Sequence, residues 1–264
     1  MSVLLDAAAG GEYTDGMSLR DYCAGCSEQV DAARLWGVVH GAAHRPEAGI
    51  VRVGRARGGH GSGYISTMWT TAWNGVTAKR ADALLRALDD VFKSGDIAKH
   101  AEQWDQTFVR ASILADVPGA SGEDRANGAK LVSWDFSAAP LWGRNLLYMI
   151  ASAEEQGSSV RVATYSYASV GDAWAEKLID APVPPAAGRV RATILFPSCD
   201  RVTICKNEDG TTNIVLEHLM TTAVGGWIGP CIFNSLFKSP LIQANIHECG
   251  AMRAYVESIV GQYL

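Results

Sequence analysis

Cys23-Ala-Gly-Cys26 has the spacing of half a zinc site or of a redox dithiol. It falls inside a predicted helix, no second CxxC follows and no βαβ pattern surrounds it, so it reads as two small apolar side chains on a packed helix face in preference to a metal or redox site. His40 and His44 are four apart, but Gly41 follows His40 where a zincin helix needs a glutamate as general base. Gly59-His60-Gly61-Ser62-Gly63 lacks the Lys-Ser/Thr of a phosphate loop and reads as a hairpin turn. No Gly-x-Ser-x-Gly elbow marks a serine hydrolase.

Polar residues placed on apolar strand faces are more informative. In the predicted strand Thr212 to Thr222, the even positions Ile214, Leu216, His218 and Met220 share one face, so His218 points where the aliphatics point. Asp105 likewise shares a face with Val109, Ala111 and Ile113, and Thr164 with Val160 and Val162, opposite Arg161. A buried carboxylate or imidazole is costly unless something hydrogen-bonds to it. Two arrangements meet that need. One is an internal network of satisfied core groups; the other is a cavity with a small polar end, formed where a curved sheet is closed by a helix.

The elements that must position these residues follow from periodicity. Ser18 to Trp36 reads as a helix, Ile50 to Val53 and Tyr64 to Trp73 as strands, Lys79 to Lys93 as an amphipathic helix and Ile97 to Gln103 as a shorter one. From Asp105 the period changes to two. Strands are expected over Asp105 to Leu114, Lys130 to Phe136, Arg144 to Ser152, Ser159 to Tyr167, Arg189 to Phe196, Arg201 to Lys206 and Thr212 to Thr222. Hairpin signals stand at Gln156-Gly157 and Asn207-Glu208-Asp209-Gly210. A long helix from near Ile228 to about Val260 closes the chain, with Pro240 expected to bend or interrupt it.

Composition agrees with an α+β chain of one domain over 18–264, preceded by a loosely ordered leader over 1–17. A globular chain of 264 residues buries roughly three quarters of its unfolded surface, so a large core is available without disulfides or metals. Six cysteines are sparse for a disulfide scaffold, and no export signal precedes them; they read as reduced and cytoplasmic. A net charge of -5 argues against the basic footprint of a nucleic-acid binder. The uncharged run His218 to Phe237 is long enough for a membrane span, but Gly225, Gly226, Gly229 and Pro230 in its middle favour a strand, a turn and a helix start.

The element order and several local runs resemble the START family, the steroidogenic-acute-regulatory-related lipid-transfer domains. The resemblance spans about Ser18 to Leu264. It is anchored on Gln103-Trp104-Asp105, on Pro140-Leu-Trp-Gly-Arg-Asn145, on Pro184-Pro-Ala-Ala-Gly-Arg-Val-Arg-Ala192 and on Gly225-Gly-Trp-Ile-Gly-Pro230. It implies a helix-grip fold of the START and Bet v 1 type: a curved antiparallel sheet around a long C-terminal helix, enclosing a hydrophobic cavity for one lipid. It implies non-vesicular lipid transfer without covalent chemistry, and no cofactor. The ceramide-transfer branch is the most similar at Gly225-Gly226-Trp227, and its polar ligand contacts fall on Asp105, Ser133, Thr164 and His218. These types differ from that branch's Glu, Gln, Asn and Tyr, so a sterol, another sphingolipid or an isoprenoid stays open. Arg144, Tyr148 and Met220 complete the expected ligand contacts.

Departures from the family pattern bear on the cavity end. Asn145 replaces the usual acidic partner of Arg144, and Ile150 stands where the sterol-transfer branch has a second arginine, which implies a more apolar tunnel end. Arg144 then has a structural reading beside its ligand reading, bound to a carboxylate or to loop carbonyls. Trp142, Trp227 and Pro230 lie in loops expected to flank the tunnel mouth, where tryptophan suits a membrane interface; packing within the loops is the other reading. The expected partners are a lipid and a transient membrane surface, with no nucleic acid. Two alternatives use the same fold: an enzyme with His218 and Asp105 as acid and base, and a sensor whose partner surface changes with ligand.

Overall fold

A computed structural model of the chain describes residues 19–42, 44–55, 64–93, 97–117, 129–137, 143–183, 189–223 and 228–264. The leader over 1–17, the glycine-rich segment 59–63 and the two tryptophans Trp142 and Trp227 lie outside the described residues. The order of elements is α1 (Leu19–Ala33), β1 (Gly37–His40), a 3-10 turn (Pro46–Ala48), β2 (Ile50–Gly54), β3 (Ser66–Val76), α2 (Ala78–Lys93) and α3 (Ile97–Trp104). There follow β4 (Phe108–Val117), β5 (Ala129–Phe136), β6 (Arg144–Gln156), β7 (Val160–Ser169), α4 (Asp172–Ile179), β8 (Val190–Arg191), β9 (Thr193–Ile194), β10 (Cys199–Lys206), β11 (Thr212–Ala223) and α5 (Pro230–Val260).

The described strands form one 11-stranded sheet with the path β1-β2-β3-β11-β10-β7-β6-β5-β4. Neighbours on this path are antiparallel. β8 pairs in parallel with the start of β6, and β9 pairs with the end of β11. The sheet curves around α5, giving the α+β helix-grip arrangement expected from the sequence.

Both faces of the central strands are covered, which is why β6 is buried at nine successive positions from Arg144 to Ser152 instead of at alternate ones. On the convex face, Tyr22, Cys23, Cys26 and Val30 of α1 pack against Leu131, Leu147, Met149 and Cys199. Cys23 and Cys26 are therefore small core residues, and burial raises the Cys23 thiol to about 12. An ion-pair network fixes α1 to the sheet. Arg201, 3% exposed, donates to Glu217 Oε2 at 2.9 Å, to Asp31 at 2.7 Å and to the Ser27 carbonyl at 2.9 Å, and Arg34 Nε donates to Glu217 Oε1 at 2.6 Å. On the concave face, Leu84, Leu88 and Val91 of α2 and Met252 and Val256 of α5 pack on Trp69, Ile214 and Leu216.

Both predicted hairpins form. Gly157 N–H donates to the Val160 carbonyl, and the β10–β11 turn closes through Asn207 with Gly210 at φ +81°, a left-handed conformation that suits glycine. Other expectations need correcting. β4 begins at Phe108 instead of Asp105, because Asp105 Oδ1 accepts hydrogen bonds from both the backbone N–H and the hydroxyl of Thr107 and forms a turn before the strand. The strand expected over Arg189 to Phe196 divides into β8 and β9, each paired with a different partner. Two short elements, β1 and α4, have no counterpart in the sequence reading. The α5 helix is continuous through Pro240. The uncharged run from His218 comprises the end of β11 and the start of α5, and no described helix is long and apolar enough to cross a membrane.

Candidate ligand-binding cavity

Between the concave face of the sheet and helices α2, α3 and α5 lies a cavity of about 570 Å³. Protein interiors are otherwise close-packed, and this volume falls in the range of about 300–1,000 Å³ typical of small-molecule sites. Its walls are mostly apolar: Phe92, Trp134, Ile150, Met220, Phe233 and Phe237 come from α2, β5, β6, β11 and α5. Alternation along each strand puts them there, since Trp134 and Phe136 of β5, and Leu146, Tyr148 and Ile150 of β6, all fall on the concave side.

One region of the wall is polar and centres on His218. β-pairing sets its geometry: His218 lies opposite Asp200 of β10 on one side and opposite Trp69 of β3 on the other. His218 Nδ1 is 2.9 Å from Asp200 Oδ1, the Trp69 ring stacks on the imidazole with centroids 5.1 Å apart, and His218 Nε2 is 3.9 Å from Glu248 Oε1 of α5. Tyr167 donates its O–H to the second oxygen of Asp200.

These contacts set protonation. Burial, the largest influence on His218, opposes its charged form, but the negative charges of Asp200 and Glu248 outweigh burial and raise the imidazole to about 9. His218 is thus an imidazolium at neutral pH and donates Nδ1–H to Asp200. Burial raises Glu248 to about 7 against the opposing pull of His218, and burial also raises Asp105. Tyr148 and Tyr167, raised chiefly by burial, stay protonated.

Of the residues expected to contact a ligand, Asp105, Tyr148, His218 and Met220 line the cavity. Asp105 reaches it from the turn between α3 and β4. Ser133 and Thr164 do not. Ser133 is on the convex side of β5, where Asn145 Nδ2 donates to its hydroxyl at 3.1 Å, because Val132 and Trp134 take the concave positions. Thr164 is also buried on the convex side, since Ala163, Tyr165 and Tyr167 of β7 face inward. Arg144 is buried but is not part of the cavity wall. It starts β6 between Phe136 of β5 and Val190 of β8, and β8 closes that end of the sheet.

Asp200, Tyr167, Asn245 and Glu248 join the wall without having been expected there. Asp200 precedes the expected start of its strand. With β10 beginning at Cys199, it shares the inward parity of Val202 and Ile204. Glu248 carries a readable signal, because it continues the α5 stripe Phe237, Leu241 and Ala244 at helical spacing. Among the described residues, no group of three or more His, Cys, Asp or Glu side chains is arranged to hold a metal ion.

No protein-family model matches the sequence, and none of the curated proteins does. Solved structures do match. The human StAR-related lipid transfer protein 5 superimposes with a TM-score of 0.55 at 13% identity, over 93% of this chain and 97% of that one. Human STARD10 superimposes with a TM-score of 0.51 at 14% identity, over 95% of this chain and 85% of that one. At such identities the likeness is one of fold: the chain has the START fold.

Proposed function

We propose that the chain binds one lipid of sterol, sphingolipid or isoprenoid type in this cavity and transfers it between membranes. The observation that carries this reading is the mostly apolar cavity of about 570 Å³, with polar groups around His218 in its wall, inside a START fold. Apolar burial at about 25 cal/mol per Å² supplies most of the affinity, while His218, Asp105 and Tyr148 orient the head and Met220 contacts the chain.

Membrane contact belongs to the same proposal. Thr222 lines the cavity, and Pro230 opens α5 eight residues further along the chain. Two turns of α5 then divide their apolar residues. Phe233 and Phe237 line the cavity, whereas Ile232 and Leu236 are 39% and 61% exposed. The exposed side chains Ile232 and Leu236 enter a bilayer interface, the role the sequence assigns to Trp142 and Trp227 as well. Such a carrier works in the cytoplasm, touching membranes peripherally. The test is extraction: purified protein incubated with vesicles of mixed lipids should retain lipid at one molecule per chain, and failure to retain any would reject the reading.

One observation favours a second reading, an acid–base enzyme: the His218–Asp200 hydrogen bond in the cavity wall. Turnover of a bound ligand that disappears in His218→Ala while binding survives would select it over transfer.

A further inference from the structure

The polar region of the cavity is unbalanced in both charge and hydrogen bonding. Three carboxyl groups line it, those of Asp105, Asp200 and Glu248, and among the described lining residues there is no lysine or arginine. His218 accounts for Asp200, which it meets at 2.9 Å. Glu248 faces the indole N–H of Trp69, and its nearest cationic atom is His218 Nε2 at 3.9 Å. Asp105 uses Oδ1 for its two bonds from Thr107.

An independent observation lies one helical turn before Glu248. Asn245 is 5% exposed and lines the cavity; its Nδ2 donates to the Leu241 carbonyl at 2.8 Å, which fixes the amide orientation and leaves Oδ1 with no partner. A buried amide oxygen without a donor is uncommon and costly. Asn245 and Glu248, three residues apart on α5, thus present acceptors on the same side of the helix.

Resting on the lipid-binding reading above, we infer that the head of the bound lipid is a protonated amine, held by Glu248, Asp105 and the Asn245 carbonyl oxygen. An ammonium carries three donors and no acceptor, which matches an acceptor-rich wall that lacks a lysine or arginine. A carboxylate or phosphate head would meet the carboxyl groups of Asp105 and Glu248, and the imidazole that faces them, His218, is already engaged by Asp200. A neutral hydroxyl can donate one bond and leaves the remaining acceptors unmatched.

The test uses the full chain and three twelve-carbon probes that differ only in the head: dodecylamine, dodecanol and dodecanoate, titrated at pH 7.5 against a displaceable apolar fluorophore and checked by native mass spectrometry. Dodecylamine should bind about tenfold more tightly than dodecanol, a difference of 1.4 kcal/mol, and dodecanoate more weakly than dodecanol. In Glu248→Gln and, separately, Asp105→Asn, the ratio of amine to alcohol affinity should fall towards one, with circular dichroism showing that each variant is folded. Dodecanol binding as tightly as the amine, dodecanoate binding tightest, or a ratio unchanged in both variants would overturn the amine inference while leaving lipid binding in place. Binding of none of the probes would overturn the lipid-binding reading itself, and this inference with it.

Discussion

Asp200→Asn should return His218 to the neutral form at pH 7. Burial disfavours the imidazolium, yet Asp200 at 2.9 Å and Glu248 at 3.9 Å raise it from 6.5 to about 9. That rise is a surplus of about 3 kcal/mol in favour of the charged form. At an effective dielectric constant of 20, a full charge at the Asp200 distance contributes on the order of 6 kcal/mol, so losing it exceeds the surplus. Glu248 cannot substitute, because its own ionisation, at about 7, depends on the imidazolium. A carbon-detected NMR titration of the imidazole should therefore show the His218 midpoint move from about 9 to below 6.5. The folding free energy at pH 7 should fall by about 2–3 kcal/mol, the linked contribution of the lost proton. A midpoint that stays above 8 in the folded variant would refute the assignment of Asp200 as the group that charges His218.

Stability should also decline with pH. Glu248 and His218 both have folded values above their unfolded ones, so each contributes stability that is fully present below the unfolded value. That contribution is lost as pH rises through about 7 for Glu248 and about 9 for His218; urea unfolding at pH 6, 7.5 and 9 should show falling midpoints, with the dependence flattened in His218→Ala. Arg201→Ala leaves Glu217 buried at the α1 clamp with one of its two arginine partners gone and should cost about 3–5 kcal/mol in urea unfolding. Ala244→Trp places an indole in the cavity lumen; lipid retention should drop at least about tenfold while the thermal midpoint is held, because the new side chain fills space instead of overpacking a core. Ile232→Ser combined with Leu236→Ser removes exposed apolar surface from α5 and should weaken vesicle co-sedimentation severalfold without changing cavity volume.

The sheet and its helices were legible wherever period and length were unambiguous. α2 was readable because Leu84, Leu88 and Val91 repeat at helical spacing, and β11 because Ile214, Leu216 and His218 alternate. Parity carried over to the site only where the strand start was right. His218 reached the cavity as its alternation required, whereas Asp200, one residue outside its expected strand, was not assigned a face. Thr164 shows the opposite failure. It alternates with apolar neighbours, but both faces of β7 are covered, one by α1 and one by α2 and α5, so an apolar neighbourhood could not tell convex from concave. Ser133 belongs to the same case. Glu248 illustrates what a helix conceals, since a lone carboxylate in an apolar stripe shows its role only when the strand opposite is known to carry an imidazole.

The central claim is that the cavity holds a lipid. Native mass spectrometry of the full chain, after incubation with vesicles and removal of free lipid, measures this most directly. The account predicts one added lipid mass per chain, displaced in Ala244→Trp. A chain that carries no lipid mass under these conditions, or one that carries the same mass in Ala244→Trp as in the wild type, would contradict it.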